Sequence, residues 1–280
     1  MARRSVLFTP GDRPEMLRKA PNAGADVIVF DLEDAVAPDR KAEARETVRS
    51  VLTDPAFDPD CTVCVRINTV GEQLRSDLEA VITAESRLDA LMLPKVGGEA
   101  DVRDVVTRLE SLDRVLPIFA LIESADGVLR ADEIAHVPET TALVFGAEDL
   151  AADIGATRTQ RMDEVIYARQ RVVIAASAAG CTAIDTVYTD FEDVDGLREE
   201  TTVAARFGFD GKLAIHPAQV EPINDGFTPD SDEVAWAERV VAAEREAAAE
   251  DRGVFEVDGE MIDRPLVARA ERILRRAGQK

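Results

Sequence analysis

Three carboxylates crowd into the stretch from Ala142 to Gly155, ALVFGAEDLAADIG, just after a run of apolar residues. The run Ala142-Leu143-Val144-Phe145 reads as a buried strand; Gly146 breaks it, and Glu148, Asp149 and Asp153 follow. A second stretch, Val115 to Ser124 (VLPIFALIES), has the same grammar and carries Glu123 at its polar end. Acids placed where apolar strands stop point to a metal or acid–base site along one rim of a parallel sheet. Other apolar runs close on Thr9, Asp31, Glu33, Asp34, Arg66, Lys95, Asp185 and His216. This set is mostly carboxylate and offers no Cys–His or Ser–His pair, so nucleophilic catalysis is disfavoured. Several carboxylates together suit a hard cation such as Mg²⁺, which takes oxygen ligands and keeps positions for substrate and water. Zinc fits less well, because His136 and His216 are the only histidines and lie far apart in sequence. An arginine at the same rim can pair with a carboxylate or neutralise an enolate oxygen.

Each of these residues also has a plainer use. Glu123 or Asp149 alone equally fits a helix N-cap or a first-turn acid. Arg66 fits a structural partner of Asp31 or Asp34, Lys95 a supporting role, and His216 a packed strand-end side chain. Asp263, ahead of Arg264-Pro265, has the form of a helix N-cap. Taken together, the residues describe a divalent-metal enzyme on a carboxylate-rich rim.

Eight strand-then-helix units must position that rim. The strands are Ser5 to Pro10, Asp26 to Phe30, Cys61 to Asn68, Ala90 to Val96, Val115 to Ser124, Thr141 to Phe145, Thr182 to Val187 and Lys212 to Ile215. Helices fall between them, at about 14–23, 38–52, 72–86, 99–112, 125–136, 162–179 and 191–207. Near-continuous apolar strands alternating with helices predict an α/β fold, a closed (β/α)₈ TIM barrel, with its chemistry at the C-terminal strand ends. An open doubly wound sheet is the alternative, weakened by the lack of G-x-G-x-x-G after the first strand. The grammar then changes. A long Ala- and Glu-rich helix from Asp230 to Arg252 precedes a β-like piece at 253–258, a turn at Gly259 and a last helix. The expected division is 1–229, the catalytic barrel, and 230–280, a C-terminal helical extension usable as a lid over its own or a neighbour's barrel mouth.

Composition narrows the partners. The chain has 280 residues, 46% of them hydrophobic, and a net charge of -22. That charge argues against nucleic acid. Only five lysines (Lys19, Lys41, Lys95, Lys212, Lys280) stand among 33 cationic residues. A surface so acidic and poor in lysine suits high salt, where self-repulsion is screened, so the composition reads as halophilic. Cys61, Cys64 and Cys181 offer no disulfide framework, which suits a reducing interior. Cys61 and Cys64 form a CxxC, but that spacing in a strand sends them to opposite faces. No apolar run reaches bilayer length and no signal sequence is seen, so a cytoplasmic protein without a membrane partner is expected.

The segments LFTPGDRP, DVIVFDLEDAVAPDRKAEAR, VRIN, MLPKVGG, LIES, FGAEDLAADIG, GKLAIHPAQV and GEMIDRP go further. In that order, and over nearly the whole chain, they resemble the malyl-CoA lyase and citrate lyase β-subunit-like branch of the HpcH/HpaI aldolases. The resemblance implies a TIM barrel assembled as a homotrimer or homohexamer. It implies making or breaking a carbon–carbon bond in a CoA thioester with Mg²⁺, for which Mn²⁺ is a possible substitute, and a small 2-oxo acid as partner. It places the metal on Glu123 and Asp149, and Arg66 at the thioester and carboxylate end as a catalytic residue. Phe8, Arg13, Lys19, Glu148, Asp149, Ile215 and His216 would contact substrate or CoA. It sets Asp263 on a lid reaching a neighbouring active site as an acid–base group, which revises the N-cap reading. The implied substrate is malyl-CoA or β-methylmalyl-CoA, giving glyoxylate with acetyl-CoA or propionyl-CoA. Citramalyl-CoA or citryl-CoA lyase and malyl-CoA thioesterase share the motifs. A CoA-free metal aldolase sits poorly with Arg13, Lys19 and the lid, and a non-catalytic binding module is disfavoured by the full set of candidate residues.

Overall fold

Eight short segments, most of them apolar on both faces, form the strands of a computed structural model that describes residues 3–69, 71–249 and 253–278. They are β1 (Ser5–Pro10), β2 (Val27–Asp31), β3 (Thr62–Arg66), β4 (Ala90–Leu93), β5 (Ile118–Ile122), β6 (Thr140–Phe145), β7 (Thr182–Asp185) and β8 (Gly211–Ala214). Every neighbour pairs in parallel, and β8 pairs with β1 through Val6 and Leu213, which closes the barrel. The strand period of two sends alternate side chains inward. Val6, Val29, Cys64, Met92, Phe119, Leu121, Val144, Ile184 and Leu213 fill the interior. Their sequence neighbours Leu7, Phe30, Leu91, Ala120 and Leu143 are equally buried. Burial on both faces requires a covering layer of helices, and closure leaves no exposed edge.

That layer comprises α1 (Pro14–Lys19), α2 (Lys41–Leu52), α3 (Gly71–Val81), α4 (Glu99–Ser111), α5 (Ala125–Leu129), α6 (Ala131–Ala135), α7 (Ala147–Asp153), α8 (Ile166–Ala179) and α9 (Val194–Phe207). Several local readings change: the helix expected over 72–86 ends at Val81, and the one expected over 14–23 is α-helical only to Lys19 before a 3₁₀ turn. The expected single helix over 125–136 is two short ones, since Arg130 leaves helical geometry and donates its guanidinium to the Gly97 carbonyl. The expected helix start at Met162 is delayed to Ile166, because Met162 is left-handed at φ 56° and a 3₁₀ turn follows. The acids after Gly146, read as a strand-end cluster, belong to a seven-residue helix, α7.

The described residues divide into two compact units, one running from Arg3 to Asn224 and one beginning at Asp225. The second holds the end of α10 (Val220–Phe227), then α11 (Ser231–Ala249), β9 (Phe255–Val257), β10 (Glu260–Ile262) and α12 (Arg264–Ala277). The sequence-predicted end of the α11 helix, at 250–252, lies outside the described residues. The turn at Gly259 forms, with Asp258 and Gly259 both at positive φ, and joins β9 to an antiparallel β10 not foreseen in the sequence. Asp-Gly is the pair a two-residue hairpin turn prefers. Val240, Phe255, Ile262, Val267 and Ile273 form this unit's own core. No described helix is long and apolar enough to cross a membrane.

Candidate active site

The barrel floor is closed by apolar side chains and by Arg3, whose guanidinium lies 4.5 Å from the Phe119 ring centre and donates to the Thr141 carbonyl. The opposite rim opens into a cavity of about 260 Å³ lined by Phe8, Arg66, Leu121, Glu123, Asp149 and Ile215, among others. That volume lies below the range of pockets that enclose whole drug-sized ligands, so it suits the reacting end of a substrate.

β5 delivers Glu123 to this rim: Ile122 is its last strand residue, and Ser124 then caps α5 by accepting from the Gly127 amide. Glu123 is only 4% exposed. Its Oε1 accepts from the Lys95 amide at 2.7 Å. Its other oxygen lies against Gly146, where any Cβ would stand 2.7 Å from Oε2 and 2.6 Å from the Glu123 Cβ. Only glycine leaves that space. Burial, with the nearby charge of Asp149 second, pushes the Glu123 carboxyl up to about 8. Asp149 comes from the first turn of α7 and is exposed on the same cavity wall. The helix dipole favours an acid there, so the first-turn reading of Asp149 and its place in the cavity hold together.

β3 delivers Arg66. Its guanidinium forks onto Asp31 at 2.8 and 2.5 Å and lies 3.2 Å from Glu33. The Phe8 ring packs against it at 4.8 Å. Burial disfavours the Arg66 charge, but Asp31, Glu33 and Asp34 outweigh it and raise its pKa. A guanidinium has five donors, so N–H groups remain for an oxyanion in the cavity. The structural reading of Arg66, as a partner of Asp31, is thus true and leaves its cavity face free for chemistry.

The anticipated ring of carboxylates is largely spoken for. Asp31 and Glu33 neutralise Arg66, Lys95 pairs with Glu33 at 2.6 Å, and Glu148 pairs with Arg158 at 3.0 Å. Asp185 faces away from the barrel interior, toward Arg169 at 2.7 Å and Lys212 at 2.9 Å. Glu123 and Asp149 are left without an ion-pair partner among the described contacts. No group of three or more possible metal ligands occurs among the described residues. Two oxygen donors, one of them held at a raised pKa by burial and a like charge, fit a hard divalent cation that completes its shell with substrate and water. They do not fit tetrahedral zinc.

The structure brings Phe8, Arg66, Glu123, Glu148, Asp149 and Ile215 to one cavity. Arg13, Lys19 and His216 are not among its lining. Arg13 is exposed beside Asp12, and Lys19 is exposed at the end of α1. His216 stacks on Phe191 at 5.2 Å and accepts from the Ala218 amide through its ring. Asp263 lies in the second unit, exposed at the N-cap position of α12, but its carboxylate makes no capping bond. Thr186 was not anticipated; it lines the cavity and accepts from the Ala147 amide at the start of α7. Nothing in a Thr-Val-Tyr string signals that contact.

Residues 4–217 match the model of the HpcH/HpaI aldolase/citrate lyase family. The mouse mitochondrial citramalyl-CoA lyase is 38% identical over 97% of this chain and 85% of its own. A Mycobacterium tuberculosis citrate lyase subunit beta-like protein is 41% identical over 98% of this chain and 95% of its own. A Cereibacter sphaeroides (3S)-malyl-CoA thioesterase is 38% identical over 98% and 94%. The crystal structure of Mycobacterium tuberculosis CitE in complex with magnesium, acetoacetate and coenzyme A superposes with a TM-score of 0.82 at 38% identity, covering 99% of this chain and 98% of that one. With most of the chain matched by the family model and near-complete coverage by relatives above 30% identity, this protein belongs to the HpcH/HpaI aldolase/citrate lyase family and is an enzyme, a carbon–carbon lyase of the CoA-thioester type.

Proposed function

We propose that the enzyme cleaves the carbon–carbon bond of a malyl-type CoA thioester to a short 2-oxo acid and an acyl-CoA, with Mg²⁺ held by Glu123 and Asp149. The observation that carries this reading is the convergence of Glu123, Asp149 and Arg66 on one small cavity at the strand ends. When bound, Mg²⁺ would supply positive charge that acidifies the substrate hydroxyl and holds the carboxylate beside it. The chain's own residues do the rest. A base takes the hydroxyl proton, the C–C bond breaks, and its electron pair passes to the thioester as an enolate. The free N–H groups of Arg66 stabilise the enolate oxygen, while Asp31 and Glu33 hold the guanidinium in place. A carboxylic acid then delivers a proton to the enolate carbon. Asp263 is assigned this acid–base role, acting from the tail of a second copy in a homotrimer or homohexamer, since its carboxylate is exposed and free of a capping bond. Arg13, Lys19, Ile215 and His216 are assigned to the CoA end of the substrate, where cations on an acidic surface suit phosphate.

Malyl-CoA or β-methylmalyl-CoA is the first candidate substrate. Citramalyl-CoA is the second: Leu121, Val187, Leu213 and Ile215 give the cavity an apolar wall that accommodates a methyl group. The relative named a malyl-CoA thioesterase keeps hydrolysis in view. An assay with malyl-, methylmalyl- and citramalyl-CoA in Mg²⁺ and high salt, following 2-oxo acids and free CoA together, separates them. Glyoxylate without free CoA is the expected result. Pyruvate alone moves the substrate to citramalyl-CoA, and free CoA without any 2-oxo acid sinks the lyase reading. Mixing inactive Asp263→Ala and Arg66→Ala proteins should restore activity if Asp263 serves a neighbour's site.

A further inference from the structure

Lys95 adopts φ 55°, in the left-handed region that residues with a Cβ seldom occupy. Such a backbone persists where its surroundings hold it. Here the same residue makes two bonds to two different carboxylates. Its amide donates to Glu123 Oε1 at 2.7 Å, and its ammonium donates to Glu33 Oε1 at 2.6 Å. Glu33 is itself fixed: it is buried, its other oxygen accepts from the Asp34 amide at 2.9 Å, and Arg66 lies 3.2 Å away. The left-handed turn lets amide and ammonium of one residue reach both carboxylates. The second Glu123 oxygen lies beside Gly146, in space that a side chain at position 146 would take. The Lys95 side chain is half exposed, so its ion pair alone contributes little energy. Its effect is transmitted through the backbone it holds.

We propose that Lys95 is a positioning residue for Glu123, its ion pair with Glu33 locking the left-handed backbone whose amide aims the Glu123 carboxylate into the cavity. The proposal rests on Glu123 being a metal ligand. Three variants separate backbone from charge. Lys95→Met and Lys95→Gly remove the same charge, but only glycine adopts the left-handed turn without a partner. Glu33→Gln leaves Lys95 in place and weakens what holds it.

The experiment titrates Mg²⁺ alone into each protein by calorimetry and measures exchange of the residue-95 amide by NMR in metal-free protein. Circular dichroism melts verify that each variant folds. Lys95→Met and Glu33→Gln should weaken Mg²⁺ binding about 10–100-fold, the range for groups that orient a ligand, and should unprotect the amide. Lys95→Gly should stay within about a factor of two of wild type and keep its amide protected. Lys95→Met binding as wild type does, or Lys95→Gly falling as far as Lys95→Met, overturns the proposal. So does a freely exchanging Lys95 amide in the wild type, whatever the metal does. A wild type that takes up no Mg²⁺ while its amide remains protected rejects Glu123 as a ligand instead, and upholds the Glu33–Lys95–Glu123 linkage if Lys95→Met loses that protection and Lys95→Gly keeps it.

Discussion

Arg66 and Glu123 show how one side chain can serve two ends. Asp31 fixes the Arg66 guanidinium by a two-point fork, and that fixed geometry is what an oxyanion in the cavity would meet. Lysine would keep the charge and lose the fork. Arg66→Lys is therefore expected to lower kcat about 10²–10³-fold, the effect of losing one well-placed donor, while the melting temperature changes little. Steady-state kinetics with a thermal melt checks both parts. Glu123 makes a prediction about pH. Its carboxyl, pushed up to about 8 chiefly by burial, is protonated below that value, so a cation must displace a proton to bind. Mg²⁺ affinity should thus rise about tenfold per pH unit and level off above about pH 8. The stability of the metal-free protein should run the other way. A pKa raised above its unfolded value stabilises the fold at low pH and loses that contribution as pH climbs through about 8. Titrations of Mg²⁺ at several pH values, with urea melts of metal-free protein, test the two signs together. Both residues were legible in the sequence because each ends an apolar run, and the pairing of Arg66 with Asp31 was one of two partners it offered; the two-point geometry of that pairing and the raised Glu123 pKa were not legible, since both depend on neighbours dozens of residues away.

At the scale of strands and helices, Asp185 teaches the opposite lesson. It ends a strand as Glu123 does, and sequence alone sets the two side by side as candidates. Ile184 points into the barrel, however, so Asp185 points out, where Arg169 from α8, Lys212 from β8 and Glu200 from α9 surround it. Asp185 and Lys212 are both fully buried. Burial disfavours the Asp185 charge, but Lys212 and Arg169 overcome it and hold the pKa below the usual carboxylate range. The network ties two helices to the sheet. Asp185→Ala leaves two cations buried beside a single remaining acid, and should cost about 3–5 kcal/mol of stability, read as a lowered urea midpoint. A variant as stable as wild type would show that water reaches these cations. Which face of a strand its last residue occupies depends on the pairing register, and a shift of one residue inverts it.

For the whole molecule, charge dominates. At -22, with exposed acids throughout the helical layer, the folded chain repels itself in dilute buffer. Screening shortens the reach of that repulsion from about 10 Å at 0.1 M salt to about 3 Å at 1 M. We therefore expect the melting temperature to rise steadily as KCl is increased from about 0.1 M to above 1 M. A melting temperature independent of KCl would reject the halophilic reading of the composition. The amino-acid sequence by itself determined the class of fold, because eight apolar runs buried on both faces and spaced by helices have few ways to close. It also determined which side chains stand at the strand ends, because those follow from where each apolar run stops. The family resemblance singled out Glu123, Asp149 and Arg66; tertiary structure decided why the other strand-end acids do not join them. Asp31, Glu33, Glu148 and Asp185 are neutralised by cations from other elements, while Glu123 and Asp149 keep theirs unpaired beside Arg66. The left-handed Lys95 and the bare Gly146 surface set the angle of Glu123. Ion pairs and close approaches of this kind join residues far apart in the chain, and a one-dimensional pattern carries no record of them.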